Sequence, residues 1–144
     1  MISKEEADEK VKEGWLRSLM MFEVLAVNEK VTKESLESLM NRLDEDNMIK
    51  MYKKEFGEIK KVEKPMKNIE VGYSLTCEVE LISRNFDNLV QVVMQYGPAS
   101  IEILDPKKIG LDAGEAQGIL NSISLLIHQF AAARAGGIVF VKGK

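Results

Sequence analysis

From Ile69 to Leu81 every second residue is apolar. Ile69, Val71, Tyr73, Leu75, Cys77, Val79 and Leu81 alternate with Glu70, Gly72, Ser74, Thr76, Glu78 and Glu80. Successive side chains of a strand point to opposite faces, so the pattern predicts one long strand with one buried face. Such a strand belongs inside an antiparallel sheet, packed on one face and polar on the other.

The flanking segments supply its neighbours. Ser3, with Glu6 three residues later, reads as a capping box that opens a short polar helix within residues 1–15, stopped near Gly14. Leu16 to Val27 is a nearly continuous apolar run around Glu23. It is read as a central strand because a helix start follows it at once. Thr32 is expected to cap that helix, with Val31 packing on Leu36. Leu36, Leu39, Met40 and Leu43 recur at helical spacing before Asp44-Glu45-Asp46-Asn47 ends the run.

Met48 to Val62 fits a helix or a strand, and Gly57 with the lysine-rich flank suits an edge strand. Pro65 and Asn68 supply a turn into the long strand. Beyond it, Ser83 or Asn85 caps a helix with the stripe Phe86, Leu89, Val90 and Val93, which Gly97-Pro98 terminates. Ser100 to Leu104 is a short strand closed by Asp105-Pro106. Ala113 to Ala135 is a long helix ended by Gly136-Gly137, and Ile138 to Val141 can add a last short strand. The order predicts an α+β chain: a ferredoxin-like βαββαβ sandwich with an additional C-terminal helix. In that fold the fourth, first, third and second strands lie side by side.

Residues 1–144 fit one domain, and 45% hydrophobic with 30% charged residues is the balance of a globular chain. The net charge of −3 carries no basic surplus, so nucleic acid is not an expected partner. The outward positions of the long strand, Ser74, Thr76, Glu78 and Glu80, also lack the aromatics of an RNA-binding sheet. Cys77 is the single cysteine, so no intrachain disulfide can form, and the charged N-terminus has no signal-peptide character. Both point to a cytoplasmic protein.

The C-terminal helix has no Asp, Glu, Lys or Arg from Ala116 to Ala133. Ala116, Ile119, Leu120, Ile123, Ile127 and Phe130 form an apolar stripe. Gln117, Asn121, Ser124 and His128 line another side, and Leu125 faces a third. A helix that avoids charge all round is expected to be enclosed all round, which points to a homo-oligomer built on it. Its Gln, Asn and His argue against a membrane span.

A second constellation is carboxylate. Strand parity puts Glu23, Glu78 and Glu102 on the face opposite the core, where neighbouring strands could align them. Aligned carboxylates need protons, a divalent metal such as Mg²⁺ or Mn²⁺, or basic partners. Arg17, Arg84, Arg134 and the second-strand lysines are the basic candidates. His128, the only histidine, reads as a hydrogen-bonded interface residue, with a general base beside a carboxylate as the alternative. Cys77 alternates with core residues and reads as an inert packed thiol.

The stretch Tyr96-Gly97-Pro98-Ala99-Ser100-Ile101-Glu102-Ile103-Leu104-Asp105-Pro106 resembles the end of the C-terminal extension of WYL-domain transcription regulators, where helix, glycine, short strand and proline follow one another. That resemblance implies a ferredoxin-like piece and ligand sensing, although no helix-turn-helix and no WYL core are visible. The whole chain resembles an uncharacterised small archaeal protein family. The leading expectation is a non-catalytic ligand-binding or regulatory module working as a homo-oligomer. The rivals are a small metal-assisted enzyme using Glu23, Glu78, Glu102 and His128, and a structural subunit of a larger complex.

Overall fold

A computed structural model describes residues 1–134, and the short strand expected at Ile138–Val141 lies outside them. The chain divides into two compact units, Met1–Ile109 and Gly110–Lys144. The first holds helix α1 (Lys4–Lys12), strand β1 (Leu16–Ala26), helix α2 (Glu29–Glu45), strands β2 (Ile49–Phe56), β3 (Lys60–Met66) and β4 (Ile69–Ser83), helix α3 (Phe86–Tyr96) and strand β5 (Ser100–Asp105). The second holds helix α4 (Ala113–Arg134). The architecture is α+β, with one antiparallel sheet of five strands in the order β2-β4-β1-β5, and β3 also pairs with β4.

β4 is the alternating segment. β1 takes one of its edges from Tyr73 to Ser83. β2 takes the upper half of the other edge and β3 the lower half. The expected single edge strand is therefore two strands, and Pro65 lies within β3 while Lys67-Asn68 makes the turn. The register of β2 slips between Met51 and Lys53. The extra residue puts Tyr52 and Lys53 on the same face, where both meet Glu80, while Met51 stays in the main core on the other face.

The main core lies between the sheet and α2 with α3. Met20, Phe22, Cys77, Val79 and Leu81 from the strands meet Leu36, Met40 and Leu43 of α2 and Leu89 and Val92 of α3. A smaller cluster on the opposite face joins Ala7 of α1 to Tyr52 and Ile82, with Ile2, Val11 and Trp15 around it.

Ser3 caps α1 by accepting the Glu6 amide, as its sequence signature implies. The cap of α2 differs from expectation. Asn28, not Thr32, accepts the Val31 amide and starts the helix, and Val31 is exposed. Thr32 sits in the first turn, fully buried, and donates its hydroxyl to the carbonyls of Asn28 and Tyr73. Of the two candidates for α3, Asn85 is the cap, and Gly97 closes the helix in the left-handed region that favours glycine (φ 58°).

Tyr96 at the end of α3 donates to Asp46 Oδ2 at 2.6 Å, tying that helix to the C-cap of α2. Burial, and then the bond to Asp46, push its phenol up to about 12. A folded-state value above the ordinary 10 stabilises the fold fully below pH 10, and the benefit is lost as pH rises toward 12. Alkaline titration should therefore show a fall in stability across that window. Tyr96→Phe should cost about 1–2 kcal/mol at neutral pH and flatten the fall. Identical alkaline curves for wild type and variant would refute the assignment.

Candidate functional site

The face of the sheet away from α2 and α3 carries the sequence-predicted carboxylates. Glu23, Glu78 and Glu102 all share it, as parity requires, but register separates them. Glu23 stands opposite Thr76, Glu78 opposite Met21, and Glu102 opposite Leu19. Each is one step of two residues further along the sheet. Diagonal neighbours on adjacent strands are about 7–8 Å apart, and Glu102 lies a second step beyond that. Among the described residues no group of three or more His, Cys, Asp or Glu is placed to hold a metal ion. No ion pair joins Arg17 or Arg84 to these three carboxylates.

The basic residues have other partners. Lys53 pairs with Glu80 at 3.5 Å, and Tyr52 donates its hydroxyl to the same carboxylate at 3.0 Å. Glu55 stands directly opposite Glu78. Leu19, Lys53, Glu55, Glu78 and Glu80 line a crevice of about 20 Å³, which is room for about one water molecule. Arg84 lies over the Trp15 ring.

Arg17 is the densest polar centre, and sequence reasoning treated it only as a possible counter-ion to the glutamates. Its side chain is 12% exposed, and it pairs with Asp8 of α1 and Asp105 of β5. Its guanidinium also stands 5.1 Å from the Tyr52 ring centroid. Burial opposes its charge, but the bonds to Tyr52 and Asp8 outweigh that and raise its pKa. Burial likewise raises the Tyr52 phenol. The arrangement ties β1 to α1, β2 and β5 at one point. Asp8 in a polar helix and Asp105 before a proline gave no sequence sign of convergence.

Cys77 is fully buried in the main core, and burial pushes its thiol up, away from the reactive thiolate.

Asp112 stands just before helix α4 and caps it, its carboxylate accepting the Glu115 amide. That cap was legible as an Asp before the helix and was not singled out. Its candidate residues Gln117, Asn121, Ser124, Leu125 and His128 are all exposed. So are its large apolar groups: Leu120, Leu125, Ile127 and Phe130 are 59–66% exposed. Leu120 and Ile127 lie on one side, and Leu125 lies beyond the Gln117–His128 stripe. No helix among the described residues is long and apolar enough to cross a membrane.

Among known proteins, the model of the MJ0538 family matches residues 17–144. No curated protein and no solved structure matches the chain. The family match gives no support to the WYL-domain resemblance.

Proposed function

The chain belongs to the MJ0538 family, and we propose that it works as a non-catalytic binding or regulatory module assembled as a homo-oligomer. One observation carries the reading: α4 presents large apolar side chains on more than one side and no charge from Ala116 to Ala133. Contiguous exposed apolar surface marks an interaction site. A second α4 suits it, because a charge-free helix can receive only an equally charge-free surface without stranding an ion. A helix of 22 residues is about 33 Å long and about 11 Å across, so one side of it offers on the order of 600 Å². That approaches the roughly 800 Å² per partner of a standard interface. Gln117, Asn121, Ser124 and His128 can hydrogen-bond across a two-fold axis at the rim of the contact.

The strand order β2-β4-β1-β5, with α2 and α3 on one face, supports a ferredoxin-like reading of Met1–Ile109. A non-catalytic role is supported by the scatter of the candidate groups: staggered carboxylates, an enclosed thiol and an exposed lone histidine.

Sedimentation at micromolar concentration tests assembly. Wild type should run well above its 16.2 kDa chain mass. Leu125→Lys should fold but sediment lighter. Losing about 1.5–3 kcal/mol per subunit on both sides of a two-fold contact weakens it by roughly a hundredfold or more. A wild-type monomer sinks the proposal.

A further inference from the structure

The net charge of −3 is a sum over two regions of opposite sign. Residues 53–68 carry six lysines against three glutamates, a net +3, so the rest of the chain sums to −6. Register places those lysines along one edge of the sheet. Lys53, Lys54, Lys60 and Lys61 stand opposite Glu80, Val79, Ser74 and Tyr73 of β4, and Lys64 and Lys67 follow toward the β3–β4 turn. From the level of Val79 to that of Ile69 the row is about 33 Å long. All six are exposed, and among the described residues only Lys53 has an ion pair, with Glu80. Aromatic rings lie among the charges. Phe56 is 38% exposed, with the Lys54 ammonium 5.7 Å from its ring centroid. Lys54, Phe56 and Lys61 share the side of Val79, Cys77 and Tyr73, so the half-buried Tyr73 lies directly across from Lys61. Of the three glutamates, Glu55 is on the other face opposite Glu78, Glu58 lies between the strands, and Glu63 alone is on the Lys61 side.

We propose that this side of the β2/β3 edge binds single-stranded nucleic acid, with the lysines on its phosphates and Phe56 and Tyr73 against its bases. A line of cations tracks a single-strand backbone, and rings set along it take the unstacked bases, whatever their identity. A duplex keeps its base faces stacked and gives the rings nothing. An anionic membrane is a plane, whereas the row follows the edge of a twisted sheet. The acidic remainder of the chain does not forbid the contact. Glu23, Glu78 and Glu80 lie on the opposite face of the sheet, and at physiological salt charges are screened over about 8 Å. Lysines also guard a free edge against stray pairing, but a guard has no use for rings among them. The inference names a partner for the binding-module reading and uses nothing of α4.

Fluorescence anisotropy of a labelled oligo-deoxythymidine tests it, with circular dichroism confirming that each variant is folded. Wild type should bind with a Kd of roughly 1–100 µM near physiological salt. Log affinity should fall against log salt with a slope of about −2 to −3.5, as roughly three to five neutralised phosphates give. The triple variant Lys60→Glu, Lys61→Glu, Lys67→Glu should weaken binding by roughly a hundredfold and flatten the slope. A second triple, Lys4→Glu, Lys107→Glu, Lys108→Glu, has the same net charge but changes lysines off the row, and should bind within about threefold of wild type. Phe56→Leu should weaken binding by about tenfold at an unchanged slope, because it removes a stacking face and no charge. The proposal is overturned by a wild type that does not bind the oligonucleotide, or by equal losses in the two triples, which would make net charge the whole effect. Wild-type affinity in Phe56→Leu, or a duplex bound as tightly as the single strand, overturns the single-strand assignment. Binding to phosphatidylglycerol vesicles without binding to the oligonucleotide assigns the row to a membrane instead. None of these results touches the assembly reading, which sedimentation tests separately.

Discussion

Phe22→Ala is expected to lower the stability of the fold by about 3–5 kcal/mol. Phe22 lies at the centre of β1, 1% exposed, directly opposite Cys77 of β4. It is one of the largest side chains fully enclosed in the main core. Truncation loses the transfer free energy of the ring and leaves a cavity that a sheet paired on both sides of β1 cannot collapse to fill. Phe22→Leu should cost markedly less, because it keeps most of the apolar contact. Chemical denaturation decides it: a Phe22→Ala midpoint near that of wild type would mean that the core is not where the structure puts it. A domain of this size typically has a total stability of 5–15 kcal/mol, so the substitution takes a large share of it.

Arg17→Ala should be the next most damaging change, at about 2–3 kcal/mol. The guanidinium joins Asp8 of α1, Asp105 of β5 and the Tyr52 ring of β2 at one point. A bond to a charged group contributes about 1.5–3 kcal/mol, and the cation–ring contact adds about 0.5–2. Solvent holds the total below the sum of these. Asp8 and Asp105 are about half exposed and are rehydrated when the arginine is gone. Arg17→Lys separates charge from shape, because an ammonium cannot present the same planar fork to two carboxylates. It should recover less than half of the loss. Full recovery by lysine would show that charge alone matters here.

Much of the fold was visible because its signals are local. β4 announces itself by alternation, α1 by Ser3 and Glu6, and α3 by its stripe and Gly97. The misassigned cap of α2 shows where local reading stops. Asn28 and Thr32 are both capping residue types, and what separates them is Tyr73, forty-one residues away, whose carbonyl accepts the Thr32 hydroxyl. The bulge in the second strand was hidden for a similar reason. It is set across the strand pair, where Met51 faces Leu81 and Lys53 already faces Glu80, and not by its own neighbours.

The candidate site divides in the same way. Parity assigned Glu23, Glu78 and Glu102 to the correct face, since parity belongs to each strand alone. Their alignment depends on register between strands, and register placed them on successive levels. The absence of charge in α4 needed no such information and was read directly. The Arg17 centre was missed because its three partners come from α1, β2 and β5, and only packing brings them together.

The division of labour along β4 also bears on how the chain finds its fold. β3 meets β4 across the two-residue turn Lys67-Asn68, with Met66 already opposite Ile69. Closing that hairpin restricts almost no chain. β1 meets the same strand only by closing loops of roughly fifty to seventy residues, and the entropy of closure grows with loop length. Early pairing at the hairpin is therefore cheap, while the β1 pairing that completes the core must wait for a long-range encounter. Contacts of that range set the pace of folding. The slow step is therefore expected to be the docking of Leu16–Ala26, far along the chain from the turn where pairing starts.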